Sequence, residues 1–303
     1  MTMPPIDIPF FLLAGGLGTR ARPLTDYKPK PMFPMAGTPL IRMMISQLRK
    51  LRCGGGFVNL HHLGEQVQGE LAHDEGIRFF QEAELSGSKI LKEAVPLIDD
   101  LLLAVNGDLF TEIPLSDMMT SLRATGADGV LLVKKTFDRL YAPLVVSGGR
   151  FLGREKDLPP QRHVKSPDGA RFMYTGVALL SKKVLEAIDH ISFFDSLAHR
   201  DFNIVVTETE APWWDLGNPL LYYLADAAYK KYLGIEEGNS LSPDVRIATE
   251  SSVERSIVWE HTVIRGRSRI SGCIVTGDVE LVDVEARDQI ITPAGVFELK
   301  NQP

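Results

Sequence analysis

Apolar positions in the first 230 residues follow two different periods. Nearly continuous apolar runs, such as 8–13 and Leu101–Val105, are typical of strands that a parallel sheet buries on both faces. Between such runs, apolar residues recur at helical spacing, as they do from Leu40 to Leu51. The alternation predicts an α/β domain with a doubly wound, mostly parallel (Rossmann-like) sheet.

Capping residues predict where two of the helices begin and end. Thr38 is the expected N-cap of the first, Pro39 its first helical residue, and Gly54 the residue beyond its C terminus. Asn218 and Pro219 form a second cap and first-turn pair, which predicts a long helix to about residue 233.

The pattern changes after residue 240. From Leu241 to Ile291 apolar residues fall in pairs, such as Ile257-Val258 and Val263-Ile264, with Gly and Ser between them. Their spacing of about six residues predicts a β-helix of roughly two to three coils. A small cap of ordinary antiparallel strands is the alternative. We therefore expect a large domain over residues 1–238 and a small one over 239–303.

The densest group of candidate functional residues follows the first predicted strand. The segment 14–20, Ala-Gly-Gly-Leu-Gly-Thr-Arg, is glycine-rich, and Lys28 and Lys30 lie among the prolines after it. Glycines let backbone N–H groups approach phosphate oxygens, and fixed cations neutralise the charge of the phosphate. The stretch predicts a polyphosphate-binding loop. The alternative is a surface loop whose cations are only solvated.

Residues 16–21 also fit the G-x-G-x-x-A form of the dinucleotide-binding motif. That motif requires a helix directly after the glycines and an acidic residue about 20 positions later. The prolines at positions 23, 29, 31 and 34 exclude such a helix, and no acidic residue lies between Met32 and Ile41. A nicotinamide cofactor is therefore not expected.

Two acidic residues are candidate metal ligands. Asp108 follows the most apolar run, at a strand end where open α/β sheets bind ligands, and Gly107 permits close approach there. Asp215 precedes the predicted cap Asn218. Carboxylates near phosphates are natural Mg²⁺ ligands, although an Asx turn at Asp108 or a helix-dipole role for Asp215 would also explain them. Together with the glycines and cations they indicate phosphoryl or nucleotidyl transfer.

Composition narrows the class of protein. The chain has 303 residues, 44% hydrophobic and 24% charged, and a net charge of −6, which argues against a nucleic-acid or membrane-surface partner. Cys53 and Cys273 are the only cysteines, so neither a disulfide framework nor a zinc site is expected. No apolar run approaches the ~18 residues of a membrane span, and no basic segment precedes residues 8–13. We expect a cytoplasmic protein.

The segment 13–41, LAGGLGTRARPLTDYKPKPMFPMAGTPLI, resembles the opening signature of the sugar-phosphate nucleotidyltransferases (NDP-sugar pyrophosphorylases). The likeness continues through VNLHHLGEQV, VNGDLF, GREKD, YTGVALLS and WWDLGNP, to about residue 233. It is greatest to bacterial mannose-1-phosphate guanylyltransferases and to uridylyltransferases for glucose- or muramic-type sugar phosphates. A short C-terminal left-handed β-helix is common in this family, so the resemblance implies one here.

The resemblance also implies roles for individual residues. Those implied for the nucleotide are Leu13, Ala14, Gly15, Gly16, Gly18, Thr19 and Gly107. Arg20 would hold the β- and γ-phosphates, Lys30 would reach the reacting phosphates, and Asp108, the third catalytic residue, would bind Mg²⁺ with Asp215. The sugar and its phosphate would contact Glu155, Lys156 and Gly176.

The implied reaction joins an NTP, GTP or UTP, to a sugar 1-phosphate, and needs no protein nucleophile. Two departures from the family pattern leave the base and the sugar open: Leu85-Ser86-Gly87-Ser88-Lys89 replaces the small residues that read the base, and Asp157 replaces the proline of a Glu-Lys-Pro motif. A non-catalytic sugar-nucleotide-binding relative is the alternative function. An acyltransferase β-helix would need more coils and more than the lone His261. Packing or self-association into a homo-oligomer is the expected role of the small domain.

Overall fold

The computed structural model describes residues 8–136, 141–159, 171–189, 192–198, 202–235 and 238–300. The α-helices in these ranges are α1 (Leu40–Lys50), α2 (Gly64–Glu70), α3 (Leu115–Thr125), α4 (Lys182–Ala187), α5 (Phe193–Ala198) and α6 (Pro219–Tyr232). The strands before residue 216 are β1 (Phe10–Leu13), β2 (Pro34–Met35), β3 (Thr38–Pro39), β4 (Gly56–Leu60), β5 (Ile77–Gln81), β6 (Leu101–Asn106), β7 (Leu109–Thr111), β8 (Gly129–Thr136), β9 (Leu144–Ser147), β10 (Arg150–Arg154), β11 (Arg171–Ser181), β12 (Ile204–Glu208) and β13 (Trp213–Asp215).

Nine strands form the central sheet, in the order β5-β4-β1-β6-β11-β8-β12-β10-β9. Strands β5, β4, β1 and β6 are parallel neighbours, as are β8 and β12. Strand β11 lies antiparallel between β6 and β8, and β10 is antiparallel to both of its neighbours. The α/β class is confirmed, but the sheet is mixed, because an apolar run reports burial and carries no information about strand direction.

Side chains from the two faces of the sheet enter two separate cores. In β1, Phe10 and Leu12 belong to one core and Phe11 to the other. Helices α1, α2, α3 and α6 cover the first face. Helices α4 and α5 and a 3₁₀ helix, Gly87–Leu97, cover the second. The sheet is therefore doubly wound, as the alternating apolar pattern predicts.

The predicted ends of α1 are wrong and the predicted start of α6 is correct. Thr38 pairs with Met35 in a short hairpin, so Pro39 becomes the N-cap, and the helix ends at Lys50, before Gly54. The hairpin is held by its own backbone bonds, so a side-chain cap at Thr38 does not form. At the start of α6, the Asn218 side chain accepts a hydrogen bond from the Leu221 N–H.

Residues 240–298, here called the coil region, consist of very short strands. They are β14 (Ser240–Leu241), β15 (Arg246–Ile247), β16 (Ser252–Glu254), β17 (Ile257–Val258), β18 (Val263–Arg265), β19 (Arg269–Ser271), β20 (Ile274–Val275), β21 (Glu280–Val282), β22 (Glu285–Arg287), β23 (Gln289–Thr292) and β24 (Gly295–Glu298). Successive strands fall in turn into three sheets, β14-β17-β20-β23-β24, β15-β18-β21 and β16-β19-β22, whose neighbours are parallel except at β23–β24.

One coil takes 17 residues, from Ser240 to Ile257 and again from Ile257 to Ile274. Three strands share each coil, which explains the apolar pairs about six positions apart. The alternative of an antiparallel cap is therefore wrong, apart from the closing strand β24.

The coil region and the central sheet share one core. Ile257, Trp259, Ile274 and Ile290 belong to the same buried cluster as β1 and α1. The coil region is thus packed against the first face of the sheet. Within the described ranges, no helix is long and apolar enough to span a lipid bilayer.

Candidate active site

The glycine loop begins where β1 ends, and a buried amide holds its first residues. Asn59, in the neighbouring strand β4, accepts hydrogen bonds through Oδ1 from the N–H groups of Ala14 (2.7 Å) and Gly15 (3.4 Å). A Cβ at position 15 would lie 2.6 Å from Asn59 Nδ2, so the contact requires glycine. These two N–H groups are used inside the protein, and a phosphate would meet those from Gly16 onward.

Asn59 also connects the glycine loop to the segment where the base is expected. Its Nδ2 donates to Glu82 Oε2 at 2.5 Å, and Glu82 Oε1 accepts from the N–H (3.0 Å) and the hydroxyl (2.7 Å) of Ser86. Asn59 and Glu82 are both buried. Neither was predicted as a site residue, although an amide in the otherwise apolar strand Gly56–Leu60 was the available signal.

The loop lines a cavity of about 490 Å³ at the carboxyl ends of β1 and β6. Predicted residues that line it are Leu13, Ala14, Gly15, Gly16, Gly18, Thr19, Arg20, Lys30, Gly107 and Asp108. Residues that were not predicted are Pro31, Asn59, Glu82, Leu85, Gly87 and Asn106. Residues far apart in sequence thus meet at one site, and the segment 85–89, which departs from the family pattern, forms part of its wall.

Lys30 is the cation built most firmly into the cavity wall. Only 5% of it is exposed, and its Nζ donates to the Gly217 carbonyl at 3.1 Å and lies 3.6 Å from Asp108 Oδ2. Arg20 is exposed at the cavity. Lys28 faces away and forms an ion pair with Glu260 of the coil region. The proline-rich loop therefore presents Lys30 to the cavity and Lys28 to the coils.

Asp108 and Asp215 are brought together by the pairing of β7 with β13. Asp215 lies opposite Leu109, and the Leu216 N–H donates to the Asp108 carbonyl at 3.3 Å. Burial raises the pKa of the Asp215 carboxyl, and the charge of Asp108 raises it further, while Lys30 and Arg20 act in the opposite direction. Asp215 does not line the cavity itself, but its charge is coupled to residues that do.

This carboxylate pair has the composition that a magnesium ion requires. The mutual repulsion seen in the raised pKa of Asp215 would be relieved by a divalent cation between the two groups. Mg²⁺ is usually held by one or two carboxylates, with phosphate and water oxygens completing its shell. The described residues contain no cluster of three or more His, Cys, Asp or Glu side chains placed to hold a metal, so a cage made of protein alone is not present there.

Asp215→Asn is expected to stabilise the ligand-free protein at neutral pH. The raised pKa means that the ionised carboxylate destabilises the folded state. Below the ordinary aspartate pKa of about 3.9 the two proteins should be equally stable, and the advantage of the variant should grow as the pH rises through the pKa of folded Asp215. Urea unfolding midpoints between pH 3.5 and 7.5 measure this, with the exposed Asp99→Asn as control. A variant less stable than the parent at neutral pH would contradict it.

The sugar-phosphate residues are less closely assembled. Gly176 lies in a bulge of β11 with φ +86°, where a Cβ would approach Leu109 Cδ2 to 2.4 Å and Asn106 Cβ to 3.1 Å. Its backbone is therefore pressed against a cavity residue. Glu155 is half-buried, 3.4 Å from Arg171, and Lys156 is exposed. Neither lines the cavity, and residues 160–170, which follow them, lie outside the described residues, so their contact with the sugar stays a prediction.

Comparison with known proteins agrees with this geometry. Residues 11–139, which hold the glycine loop, Lys30 and Asp108, match the family model described as nucleotidyl transferase. The chain is 23% identical over 292 residues to a UTP–glucose-1-phosphate uridylyltransferase of Synechocystis, covering 86% of this chain and 73% of the relative. It is 25% identical over 252 residues to a mannose-1-phosphate guanyltransferase of Pichia angusta, covering 76% of this chain and 66% of the relative. The resemblance to sugar-phosphate nucleotidyltransferases is confirmed.

A solved structure supports the fold of this nucleotidyltransferase-like chain. HddC from Yersinia pseudotuberculosis superimposes with a TM-score of 0.61 at 24% identity, over 74% of this chain and all of HddC. For a nucleotidyltransferase site the wall chemistry is coherent: glycine N–H groups and Arg20 can bind phosphates, and Lys30 can neutralise charge beside Asp108.

Proposed function

We propose that this protein transfers a nucleoside monophosphate from an NTP to a sugar 1-phosphate, releasing pyrophosphate. The observation that carries the proposal is the position of Lys30, a buried ammonium group next to Asp108 in the wall of a glycine-lined cavity. A buried cation in the wall of an open cavity is matched to an anionic ligand, and the cavity is of a size that ligand sites commonly have.

The residues of this chain would act by positioning and by charge neutralisation. The N–H groups from Gly16 to Thr19 and the Arg20 guanidinium would bind the β- and γ-phosphates. Lys30, oriented by the Gly217 carbonyl, would stabilise the charge that develops as the bond from the α-phosphorus to pyrophosphate breaks. The attacking oxygen of the sugar phosphate is already an anion, so no side chain is needed to remove a proton.

A magnesium ion would be held by Asp108 and Asp215, whose paired charges support that assignment. Bound there with the phosphates, it would polarise the phosphoryl oxygens and neutralise the leaving pyrophosphate.

The substrates proposed are GTP or UTP with a sugar 1-phosphate. The base would lie against Leu85, Ser86 and Gly87, of which Leu85 and Gly87 line the cavity. The sugar and its phosphate would contact Gly176, Glu155 and Lys156. Residues 1–238 would form the catalytic domain and 239–303 a left-handed β-helix, for which the three parallel sheets are the support.

Pyrophosphate release over a grid of four NTPs and several sugar 1-phosphates, with Mg²⁺, tests the proposal. We expect one base and one sugar to dominate, with GTP or UTP as the active nucleotide. Thermal stabilisation by an NDP-sugar without pyrophosphate release from any pair would overturn the proposed reaction and favour a non-catalytic sugar-nucleotide-binding protein.

A further inference from the structure

The proline-rich segment 27–34, here called the clamp loop, has two faces. On one face, Lys30 and Pro31 line the cavity. On the other, the side chains that alternate with them contact the coil region. The loop therefore lies between the proposed reaction site and a part of the chain more than 200 residues away in sequence.

The first attachment is an ion pair. Lys28 Nζ bonds to Glu260 Oε1 and lies 5.5 Å from the centroid of the Trp259 ring. Only 8% of Lys28 is exposed, and Trp259 is fully buried. A cation buried to this degree needs its partner, because the loss of hydration must be offset by charge pairing.

The second and third attachments flank the first. The Tyr27 hydroxyl donates to Thr292 Oγ1 at 3.3 Å and accepts from the Ala294 N–H at 3.2 Å. Phe33 packs on the Trp259 ring with a centroid distance of 5.3 Å. Lys30 thus lies between anchored residues on both sides.

A hydrogen-bond chain fixes the end of the loop. The Trp259 indole donates to the Tyr222 hydroxyl at 3.1 Å, which donates to the Pro34 carbonyl at 2.7 Å. Within the loop, the Phe33 N–H donates to the Lys30 carbonyl at 2.9 Å and the Met32 N–H to the Pro29 carbonyl at 2.8 Å. The proline rings at 29 and 31 fix two φ angles more. Movement at Lys28 is therefore transmitted along a stiff segment to Lys30.

We propose that Glu260 and Trp259 are positioning residues, through which the coil region holds Lys30 in place for nucleotidyl transfer; this rests on the proposed function. Without the Glu260 carboxylate, Lys28 is a buried, unpaired cation. The loop then moves outward to hydrate it, and Lys30, two residues along, leaves its place between Gly217 and Asp108.

The test compares Glu260→Gln with Glu280→Gln, which removes the same charge from an exposed pair with Arg265 in the same coil region. Amide hydrogen exchange of the ligand-free proteins reports the loop directly, through the N–H groups of Lys28, Met32 and Phe33. We expect faster exchange there in Glu260→Gln only. With the substrate pair found in the grid, we expect kcat to fall by about 10- to 100-fold while KM for the sugar phosphate changes little.

A double variant separates positioning from general damage. Lys28→Met with Glu260→Met replaces the ion pair by apolar groups, so no unpaired charge remains, and we expect slow exchange and most of kcat to return. Unchanged loop exchange in Glu260→Gln, a parental kcat in that variant, or a double variant no better than the single one would overturn the proposal. If the parent turned over no substrate pair, the proposed function would fail, and loop exchange would still decide whether Glu260 holds the clamp loop.

Discussion

Asp108→Asn is expected to remove nearly all nucleotidyl transfer and to leave the fold intact. The Asp108 side chain is 41% exposed and makes one ion pair, at 3.6 Å, so a neutral side chain of the same shape costs little stability. The same change removes one of the two carboxylates proposed to hold magnesium at the phosphates. We expect a loss of about 10²- to 10³-fold in kcat, the range found when one charge-stabilising group is removed from a transition state.

Pyrophosphate release and the unfolding midpoint, measured on the same preparation, check this prediction. The control is Asp99→Asn, an exposed aspartate that precedes the opposite end of the same strand, β6. Full activity in Asp108→Asn would eliminate the proposed magnesium site. A large fall in the unfolding midpoint would show that Asp108 is needed for folding.

Lys30→Met is expected to reduce kcat by a similar factor, about 10²- to 10³-fold. Methionine can occupy the buried path of the lysine stem but supplies no charge, and Gly217 loses its donor. Lys30 also opposes the raised pKa of Asp215, so in the variant that pKa should rise further. The fall of activity on the acidic side should then begin at higher pH.

A pH series of kcat from 5.5 to 8.5 measures both effects. The matched control is Lys50→Met, an exposed lysine at the end of α1, which should keep parental kcat and the parental pH profile. If Lys30→Met kept the parental kcat and changed only KM for the NTP, Lys30 would bind the ground state and the transition state equally, and its proposed role in catalysis would be lost.

The part of the site that could be predicted from sequence is the part that is local in sequence. The glycine loop, Lys30 and Asp108 each follow or accompany an apolar run, and parallel strands bring such strand ends to one edge. Asn59 was missed because its role depends on the register of β4 beside β1, where Val58 pairs with Leu12, and on Glu82 after β5. Register between strands is a tertiary property that periodicity does not encode.

Two other features depended on long-range contacts. Lys28 and Lys30 are indistinguishable as cations in a proline-rich loop, and only the position of Glu260 shows that they serve different partners. The direction of β11 was also beyond the apolar pattern, since an antiparallel strand buried on both faces reads like a parallel one.

The direction and length of β11 have a consequence for motion. This strand of 11 residues pairs with β6, which carries the nucleotide residues at its end, and with β8 and β9 on its other side. At Ala178 it pairs with Ala104 and Leu131 at once. A hinge between the two halves of the sheet would have to break this double ladder of backbone hydrogen bonds. The two substrates are therefore brought together on a rigid frame, and any closure over them has to come from the loops at its edge.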